Sequence, residues 1–137
     1  AGALRTSEEA FRRLIEAHGV YVDRCEIIKG MFQTTLTGEL QERLRAGDRK
    51  LALACVDCDL YESARPVFRF LEPFLQEGSL IYIDDWFVGY RGSPLRTVAR
   101  AFHEFEQASR FRFAPHMQVG WWGRSFIAYQ DESRRAP

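Results

Sequence analysis

Apolar positions along this chain switch between two periods. From Thr6 to His18 they keep helical spacing: Phe11, Leu14, Ile15 and His18 share one face, Thr6 and Glu9 form a capping box, and Gly19 follows as a stop. Cys25 to Lys29 is a short strand candidate ending at Gly30, and Leu36 to Ala46 a weaker helix closed by Gly47. Leu51 to Val56 is continuously apolar, the mark of a central strand covered on both faces. Ser63 is placed to cap a helix carrying Ala64, Val67, Phe68 and Leu71 inward. Pro66 fits its first turn, and Pro73 demands a kink or restart. After Gly78, Ser79 to Ile83 reads as another covered strand. Ser93 and Pro94 make an N-cap and first-turn pair for a helix through Ser109, with Leu95, Val98, Phe102 and Phe105 inward. The stretch "FRFAPHMQVGWWGRSFIAYQ" reads as two strands around a Gly-Trp-Trp-Gly turn, and "DESRRAP" as a loose tail over 131–137.

Strand and helix in alternation, finished by a strand pair, predict an α/β fold with mostly parallel strands. Ligands in such sheets gather at the carboxyl ends of strands. One predicted strand runs straight into Asp57, Cys58 and Asp59, and the next into Asp84 and Asp85. A right-handed crossover through a single helix returns both tips to the same edge of the sheet, so four carboxylates converge. An acid after a strand often caps the following helix, and any one of the four taken alone reads that way. Two pairs at two tips read as ligands for a hard divalent cation, because like charges so close resist packing without one.

Composition narrows the field. The chain has 137 residues, a single domain's worth, with 46% apolar residues and a formal net charge of zero. No basic run tracks a phosphate backbone, which argues against nucleic acid as a partner. No apolar run approaches a membrane span, and the first seven residues lack the pattern of a signal peptide, so a cytoplasmic location is expected. The three cysteines make no disulfide framework. Cys55 and Cys58 form a C-x-x-C within and just after a strand, where residues three apart face opposite sides, so they read as small buried hydrophobes.

The segments "IIKGMFQTTL", "ACVDCDLYESA" and "FLQEGSLIYIDDW", in this order and at these intervals, resemble the later half of the macrocin O-methyltransferase family, a branch of the class I S-adenosylmethionine-dependent methyltransferases. The resemblance runs from about Ser7 to Gln130. It implies a Rossmann-like sheet with helices on both faces and a C-terminal antiparallel strand pair. It also implies magnesium-dependent transfer of a methyl group to a hydroxyl of a small molecule, a natural-product sugar or a phenol, in secondary metabolism. On this pattern Asp57, Asp84 and Asp85 are the metal (Mg2+) ligands, Asp57 doubles as catalytic base, and Gly30, Met31 and Phe32 belong to the loop beside the adenine of S-adenosylmethionine. Asp59 is a less certain base or a helix cap. Tyr61, Trp86, Trp121 and Trp122 are candidates for the acceptor pocket, with core packing the first reading for Tyr61. His116 is a candidate pocket residue and His103 is expected to face outward from its helix.

The family's glycine-rich turn after a first strand, and the acid ending its second strand, have no counterpart in these residues. The chain therefore reads as the C-terminal portion of a methyltransferase domain, its first two strands absent, which leaves a missing N-terminal half-domain or a homo-oligomer as partner. Glu26 to Lys29 should then lack a neighbour. Two rival functions stand beside this one. The strand ending in D-x-D also resembles the first motif of haloacid-dehalogenase-type phosphotransferases, with Asp57 as nucleophile, yet no lysine lies between Asp59 and Asp84 to neutralise a phosphoryl group. A degenerate, non-catalytic methyltransferase-like module is the other.

Overall fold

A computed structural model describes residues 6–89, 91 and 93–131. Its elements are α1 (Glu8–Ala17), α2 (Phe32–Thr35), α3 (Gly38–Arg45), β1 (Leu53–Val56), α4 (Tyr61–Leu71), β2 (Leu80–Ile83), α5 (Thr97–Ala108), β3 (Phe111–Val119) and β4 (Gly123–Gln130), with 3-10 turns at Val22–Arg24 and Glu72–Phe74. The strands form one sheet in the order β1-β2-β4-β3. β1 and β2 are parallel, joined through α4, while β4 runs antiparallel to both β2 and β3. The α/β architecture and the closing antiparallel pair are as the sequence predicts, but among the described residues only β1 and β2 pair in parallel where mostly parallel strands were expected, because β4 inserts antiparallel beside β2. Among the described residues no helix is long and apolar enough to cross a membrane.

Strand alternation sends Ala54 and Val56, Ile81 and Ile83, and Phe126 and Ala128 to one face, where all six are buried. α4 covers that face with Ala64 and Phe68, and α5 with Val98, Ala101, Phe102 and Phe105. Phe102 sits at the middle, its ring centroid 5.5 Å from Phe68, 5.5 Å from Trp86, 5.3 Å from Phe113 and 4.4 Å from Phe126. Trp86 is therefore a core residue and not an acceptor-pocket wall. Among the described residues the opposite face is open: Leu53 is 59% exposed, Cys55 and Met117 are exposed, and β1 lies at the sheet's edge.

Two prolines shape α4. Pro66 cannot donate to the carbonyl of Glu62, and the side-chain amide of Gln33 takes that place, donating to Glu62 O at 2.9 Å. Pro73 ends the α-helical run and passes the chain into the 3-10 turn Glu72–Phe74. Near that end Gln41 donates to Phe70 O at 3.1 Å. The segment before β1 is thus stitched along α4 by two glutamines from α2 and α3.

Several boundaries differ from expectation, each for a local reason. α1 is capped by Ser7, whose hydroxyl accepts from Ala10 N, so the predicted box at Thr6 is displaced by one residue. Cys25 to Lys29 forms no strand; it has no neighbour among the described residues with which to build a ladder. α4 begins at Tyr61, ahead of the predicted Ser63 cap, and Pro66 lies inside it. Ser93 and Pro94 make a turn closed by Arg96 N to Ser93 O at 3.2 Å, and α5 starts only at Thr97, which leaves Leu95 75% exposed. The tail over 132–137 lies outside the described residues.

Candidate functional site

The register Val56↔Ile83 aligns the carboxyl ends of β1 and β2, so the residues that follow, Asp57 and Asp84, leave the sheet side by side. A backbone bond from Asp84 N to Val56 O, 3.0 Å, fastens the two tips together. Beyond them the chain turns on both strands and brings Asp59 and Asp85 into the same place. Asp57, Asp59 and Asp85 each offer an oxygen, and the three atoms lie within 4.8 Å of one another. An all-oxygen set of this kind suits a hard cation such as magnesium better than zinc.

The crowding shows in the electrostatics. Asp85 is pushed up to about 6, first by burial, then by its hydrogen bond with Asp59 and by the charges of Asp59, Asp84 and Asp57. Burial, with the charges of Asp57, Asp59 and Asp85 behind it, also pushes the Cys58 thiol up to about 11. Cys55 is raised as well, chiefly by burial. Neither thiol is poised as a thiolate nucleophile and both cysteines are free, but only Cys58 is the buried small hydrophobe the sequence predicts; Cys55 is exposed, because it faces the open side of the edge strand β1.

Of the three predicted metal ligands, Asp57 and Asp85 stand in this cluster. Asp84 stands beside it, its carboxylate accepting a hydrogen bond from the Tyr82 hydroxyl through Oδ1. That bond holds the Tyr82 phenol up at about 12. Asp59, weighed as a base or a cap, makes no cap bond to α4 and joins the cluster instead. Its signal was the i, i+2 spacing from Asp57. Tyr82 escaped notice, though the same spacing separates it from Asp84.

The predicted donor loop sits against α4, the helix that follows the first acidic tip. Gly30 has φ 149, and a Cβ there would come 2.4 Å from Thr35 Cγ2, so the turn into α2 requires glycine. Met31 O accepts from the hydroxyls of Thr34 and Thr35 at 3.0 and 2.9 Å, which fixes the loop while leaving the Met31 and Phe32 side chains exposed. Tyr61 is half-buried and donates to Glu104 at 2.7 Å, joining α4 to α5. Trp121 and Trp122 are exposed on the β3–β4 turn. His103 is half-buried against Trp86, and His116 meets Ser125 Oγ at 3.0 Å on the open face.

Comparison with known proteins gives the frame for this geometry. The family model described as macrocin-O-methyltransferase (TylF) matches residues 1–126. The chain belongs to that family. A Streptomyces olivaceus relative, 8-demethyl-8-(2,3-dimethoxy-alpha-L-rhamnosyl)-tetracenomycin-C 4'-O-methyltransferase, is 33% identical over 85 residues, or 62% of this chain and 30% of that enzyme. The fold is similar to that of the O-methyltransferase NovP, with TM-score 0.70 and 22% identity over 92% of this chain and 46% of NovP. It is also similar to that of CalS11, a TDP-rhamnose 3'-O-methyltransferase of calicheamicin biosynthesis, with TM-score 0.60 and 17% identity over 92% of this chain and 54% of CalS11. The chain thus spans about half the length of these solved structures.

Proposed function

We propose that this chain is the carboxylate-bearing part of an O-methyltransferase that moves a methyl group from S-adenosylmethionine to a hydroxyl of a small molecule, with magnesium bound at the strand tips. The observation that carries the proposal is the convergence of Asp57, Asp59 and Asp85 at the ends of two parallel strands. The family gives methyl transfer; the rhamnosyl and TDP-rhamnose acceptors in its relatives' names favour a sugar hydroxyl here.

A neutral alcohol is a poor nucleophile at neutral pH. Asp57 serves as the base that takes its proton, and Asp57, Asp84 and Asp85 serve as the metal ligands, with Asp59 completing the acidic wall. A bound dication would lower the pKa of the acceptor hydroxyl and screen the four carboxylates from one another. Gly30, Met31 and Phe32 offer a glycine turn and two exposed apolar side chains to the donor, close to the start of α4. Methyl transfer then depends on in-line placement, which a rigid sheet edge provides. The remainder of the donor site, on this reading, comes from a half-domain that this chain lacks.

Calorimetric titration of magnesium, then of S-adenosylmethionine, into this chain and into a version extended by a half-domain with a glycine-rich turn tests the proposal. The extended protein should bind both, the chain alone should bind the donor weakly, and Asp57→Asn with Asp84→Asn should abolish the magnesium heat. Tight donor binding by the chain alone contradicts the division of labour. Magnesium binding by the extended protein without any donor binding points to the phosphotransferase or the degenerate module.

A further inference from the structure

The tip of β2 carries one side chain that the proposed chemistry leaves unused. Tyr82 precedes Asp84 by two residues, so both project from the same side of the strand, and the Tyr82 hydroxyl donates to Asp84 Oδ1. The ring is seated by β4. Tyr82 stands opposite Ser125 in the antiparallel register, and a Cβ added at Gly123 would lie 2.5 Å from the hydroxyl oxygen and 2.6 Å from ring Cε2. Gly123 therefore supplies space for the Tyr82 ring, a need separate from any turn. The main chain of Asp84 is already fixed by its bond to Val56 O, so side-chain rotation is the freedom left to it.

We infer that Tyr82 is a positioning residue for the metal site: seated on Gly123, it holds Oδ1 of Asp84 and thereby sets the orientation in which that carboxylate meets a cation. Hydrogen-bond partners behind ligating carboxylates fix their rotamers, and their loss typically weakens metal binding by about tenfold or more. The inference rests on the metal-dependent reading above.

The test is titration of magnesium chloride into the full chain and four variants: Tyr82→Phe, Gly123→Ala, Asp84→Asn and the Tyr82→Phe/Asp84→Asn double. Tyr82→Phe should weaken magnesium about tenfold. Gly123→Ala should do the same although it keeps the hydroxyl, because it displaces the ring. In the Asp84→Asn background Tyr82→Phe should have no further effect, a coupling that general loosening of the fold would not produce. Unchanged or tighter binding by Tyr82→Phe overturns the inference, as does an equal loss with and without Asp84. A wild-type chain that gives no magnesium response overturns the metal reading itself and this inference with it; a responsive wild type with indifferent variants overturns the inference alone.

Discussion

The two faces of the sheet were built from the same kind of residue and have met different fates. Ala54, Val56, Ile81 and Ile83 are buried beneath α4 and α5, whereas Leu53, Cys55, Leu80 and Tyr82, their alternates along the same strands, line an open hollow of about 300 Å³. Edge strands are blunted by charge, proline, a bulge or shortness, and β1, four residues long, has only the last of these over Leu53–Val56. The open side also has its own destination: its parity leads along β1 to Asp57 and along β2 to Asp84, while the covered parity leads to buried Cys58 and, past Ile83, to Asp85. The acids stand where the covered side and the open side meet.

The contrast can be broken hardest from the covered side. Phe102→Ala empties the centre of the aromatic cluster and should cost about 3–5 kcal/mol in urea unfolding. The open side becomes comparable only when covered. In a version extended by the proposed half-domain, Leu53→Asp should cost about 3 kcal/mol if that half-domain covers this side, because an uncompensated charge would then be buried. At the junction the effect is on pH dependence. Asp85 is raised from 3.8 to about 6, so the folded chain holds this proton more tightly than the unfolded chain does. Its contribution favours folding at low pH and is lost as pH rises through that window. In EDTA, thermal melts should fall between 3.8 and about 6, and Asp85→Asn should flatten the fall. Magnesium affinity should move the other way, strengthening as pH rises through about 6, because a ligand must shed its proton. The smallest effect should be Leu53→Asp in the chain alone, within about 0.5 kcal/mol, since that side chain already meets water.

Much of this was legible before any coordinates. The continuous apolar runs identified both parallel strands and the doubled acids at their ends marked the candidate site, but the cover expected on both faces is present on one only, and β1 is an edge strand where a central one was expected, because apolarity in sequence does not say what lies against it. What escaped notice depended on partners distant in sequence. Asp59 falls in with Asp85 only because the register aligns Val56 with Ile83. Trp86 reads as a pocket aromatic until Phe102 and Phe126 are found packed around it. Cys25 to Lys29 has the composition of a strand, but a strand needs a neighbour, and composition cannot say whether one is present. The helix starts at Ser63 and Ser93 failed because a capping residue in sequence is only an opportunity, taken up at Ser7 and Thr37 and passed over elsewhere.

The prolines of α4 have a consequence for anyone who edits this sequence. Pro66 leaves Glu62 O without its helical donor, and Gln33 fits that opening as a key fits a lock. Replacing Pro66 with alanine would give Glu62 O a helical donor that shares this acceptor with the glutamine, so a change that looks stabilising on paper should weaken the tie to the segment carrying Gly30, Met31 and Phe32. Proline and glutamine here are one unit written in two places, and they should be transplanted, trimmed or mutated together.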